Sequence, residues 1–160
     1  MQEQCDTLSS TTLMNSQSEQ PSEMRRVTSA VMRIASPYGF TESGVYPPVP
    51  SSMTAWAYSA DTDEFTIEIE RDRGGHIGIY VGSKVRRKPR AHMRGPWSLS
   101  HLRGYLDGNA EHFLYTDVDD QIGWLQDNIQ SLLDISFLNS DELNKWAVRA
   151  SRRFFGQALR

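Results

Sequence analysis

The chain has 160 residues, 38% of them hydrophobic, with four Trp, six Tyr, six Phe and a net charge of −3. This length and aromatic content exclude a disordered chain and suffice for one domain with a real core. No apolar run approaches the ~20 residues needed to span a bilayer, the N-terminus lacks a basic-then-apolar secretory layout, and the single Cys5 cannot close an internal disulfide, so the expected location is the cytoplasm.

Residues 1–21 are rich in Ser, Thr, Gln and Glu and read as a mobile, disordered N-terminal tail, with residues 22–160 as a single α+β domain. Ser22 is the expected N-cap of a first helix, in which Met24, Val27, Val31 and Ile34 recur at helical spacing; it ends before Pro37. Pro47, Pro48 and Pro50 mark an extended connection. Three strands are expected next. The first runs from Thr54 to Tyr58. The second, Phe65–Arg71, alternates Phe65, Ile67 and Ile69 against Thr66, Glu68 and Glu70. The third, His76–Val81, turns Ile77, Ile79 and Val81 to one side. Asp72-Arg73-Gly74-Gly75 is the expected hairpin turn, its paired glycines supplying positive backbone torsions. Period-two patterning with one polar face predicts a small antiparallel sheet covered by helices on one side.

Ser98 is the expected cap of a helix through Leu99, Leu102, Tyr105 and Leu106 toward Gly108. A longer helix is predicted from about Asp119 to Asp134, burying Ile122, Leu125, Ile129, Leu132 and Leu133, with an acidic first turn that suits the helix dipole. A last helix begins at Asn139 or Ser140, with Leu143, Trp146, Ala147, Ala150, Phe154 and Ala158 forming its apolar stripe. The predicted class is therefore α+β, with about three or more strands and three to four helices.

Charge is distributed in blocks. Between Gly104 and Asn144 lie nine acidic residues and no Lys or Arg: Asp107, Glu111, Asp117, Asp119, Asp120, Asp127, Asp134, Asp141 and Glu142. Asp120, Asp127 and Asp134 recur every seven residues, so one continuous helix carries all three along one line. Such a face is either simply solvated or a docking surface for a basic partner, where complementary potential speeds association. The predicted partner-binding residues are Asp117, Asp119, Asp120, Asp127, Asp134, Asp141 and Glu142, with Trp124 as an aromatic anchor at the edge or else a core residue. A secondary basic patch comprises Arg86, Arg87, Lys88, Arg90 and Arg94, next to Lys84. It lacks the interleaved aromatics of single-strand binders, and the pI of about 5.8 argues against dedicated nucleic-acid binding.

His76, His92, His101 and His112 show no metal-ligand spacing, and no Gly-x-Ser-x-Gly elbow or phosphate-cradling loop is present. No catalytic residue, metal or cofactor is expected, and the chain reads as a non-enzyme.

The segment FTIEIERDRGGHIGIYVG from Phe65 to Gly82, followed by PWSLSHLRGYL from Pro96 to Leu106, resembles small immunity proteins of bacterial polymorphic-toxin and contact-dependent inhibition systems. The resemblance covers about a quarter of the chain. It implies a cytoplasmic protein that neutralises a cognate toxin domain, often a basic nuclease, through an acidic surface. Two other readings remain: a type III-like secretion chaperone or adaptor, and a nucleic-acid-binding regulator using residues 84–94.

Overall fold

The computed structural model describes residues 21–46, 54–85, 96–109 and 117–155. Cys5, Pro47, Pro48, Pro50, the basic patch from Arg86 to Arg94, His92, Glu111, His112 and Ala158 lie outside them, as does the side chain of Phe154.

Helix α1 spans Ser22–Ala35 and buries Met24, Val27, Val31 and Ala35 at helical spacing. Its N-cap is Pro21 rather than Ser22, which is already helical. A short 3-10 turn, Ser36–Tyr38, ends at Gly39 and leads into the sheet. Five strands follow: β1 (Thr41–Tyr46), β2 (Thr54–Asp61), β3 (Phe65–Asp72), β4 (Ile77–Ser83) and β5 (Trp97–Ser98). They pair antiparallel in the order β1-β2-β3-β4-β5. Helices α2 (Leu99–Leu106), α3 (Val118–Leu132), α4 (Ile135–Leu138) and α5 (Asp141–Phe155) complete the described residues. The α+β class and the antiparallel sheet are as the strand patterning requires.

The core lies between the helices and one sheet face. Trp56, Tyr58 and Ala60 of β2, Phe65, Ile67 and Ile69 of β3, and Ile77, Ile79 and Val81 of β4 form that face. They join Leu99, Leu102, Leu125, Ile129, Leu132, Leu138, Leu143 and Ala147 in one buried cluster. Leu125, Ile129 and Leu132 are buried as their spacing predicts, whereas Ile122 and Leu133 are half-buried at its margin. The β3–β4 hairpin closes on Asp72: its N–H donates to His76 O at 2.9 Å, and Gly75 N–H donates to Asp72 O at 3.1 Å. Of the two turn glycines, Gly75 adopts a positive φ, 91°, and Gly74 does not. The turn thus needs one glycine, not two, as in a three-residue loop that ends in a left-handed residue.

Two elements have no sequence signal of their own. Strand β1 is an exposed edge with a bulge between Glu42 and Gly44, so no apolar alternation marks it. Strand β5 is two residues long, and its ladder to Tyr80 and Val81 defines it.

Because β5 is so short, the outer edge of β4 has no strand partner at Ile77 and Ile79. Gln121 of α3 fills the gap. Its Oε1 accepts the Ile79 N–H at 3.1 Å and its Nε2 donates to Ile77 O at 3.2 Å, while the side chain is 5% exposed. Beside it, Trp97 Nε1 donates to Leu138 O at 2.9 Å and ties β5 to α4. Gln121→Leu strands one buried donor and one buried acceptor, so a loss of about 2–4 kcal/mol in unfolding free energy is expected from urea titration.

Candidate functional site

The predicted acidic face is divided by the fold. Asp117 is the N-cap of α3, its Oδ1 accepting the Asp119 N–H at 2.7 Å. Asp119 forms an ion pair with Arg26 of α1. Asp134 does not belong to α3. The helix stops at Leu132, and Asp134, in an extended conformation, caps α4 by accepting the N–H groups of Ser136 at 2.8 Å and Phe137 at 3.1 Å. The expected line of three carboxylates is therefore broken, because an Asp that can cap competes with helix continuation.

Asp120 and Asp127 remain on the outer side of α3, two turns or ~10.5 Å apart along its axis, and both are exposed. Asp141 and Glu142 are exposed in the first turn of α5. None of these four has an ion-pair partner among the described residues. Trp124 lies four residues after Asp120 and three before Asp127, so all three occupy adjoining positions on the helix surface. It is half-buried and packs against the core. It also borders a shallow surface crease with Leu99, Ser100, Arg103 and Gln121 that encloses no room for a small molecule. The predicted basic patch of Arg86, Arg87, Lys88, Arg90 and Arg94 lies outside the described residues, and Lys84 beside it pairs with Asp61 at 3.5 Å.

Gly123 sits within this outer face, and a Cβ built on it meets nothing within 4 Å. A glycine inside an exposed helix turn destabilises by about 0.5–1 kcal/mol relative to Ala. Gly123→Ala is expected to stabilise the protein by that amount in thermal unfolding, which would show that folding does not require the glycine.

A Ser and a His meet at the start of α2. Ser98 caps the helix, its Oγ accepting the His101 N–H at 3.2 Å and meeting the imidazole at Nδ1. The arrangement is a side-chain N-cap with the imidazole closed back on the capping hydroxyl, and the ring centroid lies 6.2 Å from that of Trp97. Burial pushes the His101 imidazole down from 6.5 to about 4. A folded value below the unfolded one means that the fold favours the neutral ring. Its contribution is complete above pH 6.5 and is lost as pH falls toward 4. Thermal melts across that window should decline, and His101→Gln should flatten the decline.

Strand pairing exposes a feature that residue spacing alone treats as the polar side of a strand. On the sheet face opposite the core, Glu70 lies between Ala57 and Gly78, and Glu68 lies between Ser59 and Tyr80. Burial pushes the pKa of both carboxyls above the ordinary value, and the charges of Glu70 and Asp61 add to the effect at Glu68. Tyr80 is raised by burial and then by Glu70, Asp72 and Glu68. Asp61 behaves differently. Burial alone would raise it, but hydrogen bonds from Thr66 and Ser43 and the nearby Lys84 hold it below the usual range.

Among the described residues, no group of three or more His, Cys, Asp or Glu is arranged to hold a metal ion, and no helix is long and apolar enough to cross a membrane. No protein-family model, curated protein or solved structure matches this chain.

Proposed function

We propose that this protein is a stoichiometric, non-covalent inhibitor of a basic protein partner, of the immunity-protein kind, acting in the cytoplasm on a toxin domain such as a nuclease. The observation that carries the reading is the outer face of α3, where Asp120 and Asp127 are exposed on either side of Trp124 and have no ion-pair partner among the described residues. Uncompensated carboxylates on a rigid helix keep their potential toward solvent, and a nuclease that grips phosphate offers the opposite sign. Trp124, fixed against the core on one side, serves as a pre-ordered aromatic anchor. The resemblance of Phe65–Gly82 and Pro96–Leu106 to immunity proteins supports the same class. The internally engaged Asp117, Asp119 and Asp134 support the face structurally, while Asp141 and Glu142 extend the negative potential from α5.

The test is the affinity for the C-terminal domain of the protein encoded immediately upstream, measured by calorimetry. Asp120→Lys combined with Asp127→Lys is expected to weaken binding by at least about tenfold, roughly 1.4 kcal/mol. The melting temperature should fall only slightly, since neither side chain has an ion-pair partner among the described residues and the cost is limited to the helix-dipole interaction of Asp120 in the first turn of α3. Unchanged affinity would overturn the assignment of α3.

A further inference from the structure

In an antiparallel sheet the register decides which side chains stand together on each face. The helices and the core occupy one face here, so Glu68 and Glu70 stand on the other, two residues apart on β3 and about 7 Å from each other. Their neighbours Ala57, Ser59 and Gly78 are small and leave low ground around the carboxylates. The Tyr80 ring closes on Gly78, where an added Cβ would lie 3.0 Å from Cε2 and from Oη. That lean carries the ring from its place opposite Glu68 toward Glu70. Neither glutamate has an ion-pair partner among the described residues, whereas Asp61 on the same face is matched by Lys84 at 3.5 Å. The sheet therefore holds two half-buried negative charges beside an aromatic ring and supplies no cation for them.

We propose that this open sheet face is a docking surface for an arginine- or lysine-bearing segment of a protein partner, with Glu68 and Glu70 receiving the cation and Tyr80 stacking on it. A guanidinium is the better fit. Its planar fork reaches two carboxylates at once, and its face is attracted to a tyrosine ring within about 6 Å. The choice of a basic occupant follows from charge complementarity. The surface is separate from the α3 face, which lies beyond the helical layer on the other side of the sheet, and it does not depend on the α3 assignment.

The probe is a hexa-arginine peptide titrated into the full chain at about 50 mM salt, where screening is modest. Glu68→Gln with Glu70→Gln is expected to weaken binding by about tenfold, and Tyr80→Leu by about threefold, with Tyr80→Phe retaining affinity because the ring is kept. Asp63→Asn with Glu64→Gln, two exposed carboxylates in the β2–β3 turn, is the control and should change affinity less than about twofold. Unaltered binding in the glutamate double variant overturns the proposal, as does an equal loss in the control, which would signify non-specific polyelectrolyte attraction. A second readout guards against misfolding. At pH 7 the glutamate double variant should melt at a higher temperature than the parent, because two uncompensated charges are removed. A lower melting temperature would mean that the carboxylates are structural and would also overturn the proposal.

Discussion

Gln121 stands where a longer β5 would otherwise run. Its amide presents one acceptor and one donor, which is what an unpaired length of strand edge requires, and it meets Ile79 N–H and Ile77 O in a buried setting. A partly satisfied polar pair in such a place would be worse than none, so the clamp has to be complete. Its wider effect is to fix the rotation of α3 about its own axis. With Gln121 turned to β4, Leu125, Ile129 and Leu132 follow into the core at helical spacing, and Asp120, Gly123 and Asp127 are left outside. The surface offered to a partner is thus a consequence of a hydrogen-bond pair on the opposite side of the same helix.

The same economy governs the carboxylates. Aspartate is among the best helix caps because its short side chain reaches the free N–H groups of the first turn. Asp117 and Asp134 are used in that way, and the cap at Asp134 separates α3 from α4. That break brings Leu138 into the core and its carbonyl to the Trp97 indole. Asp119 joins α3 to α1 through Arg26, a contact 93 residues apart in sequence. Unpaired acidic groups stand on several surfaces, among them the outer side of α3, the start of α5 and the open face of the sheet, so the potential of the protein is not confined to the acidic stretch between Gly104 and Asn144.

The strict alternation of Phe65 to Glu70, the leucine spacing after Ser98 and the apolar stripe from Leu143 to Ala150 make the sheet, α2 and α5 legible in the sequence. Strand β1 could not be read in that way, since an exposed edge strand has no core-facing rhythm and takes its stability from the backbone of β2. Nor could the shortness of β5, whose limits are set by where Gln121 takes over the edge of β4.

What the sequence determined by itself was the secondary-structure grammar and the existence of concentrated charge, because periodicity, caps and turns depend on near neighbours along the chain. Which carboxylates face solvent unmatched was decided only by tertiary structure. Capping, pairing with Arg26 and the lateral placement of Glu68 and Glu70 beside Tyr80 all depend on groups brought together across the fold. A charge acts on its surroundings through distance and burial, and neither can be counted along a chain.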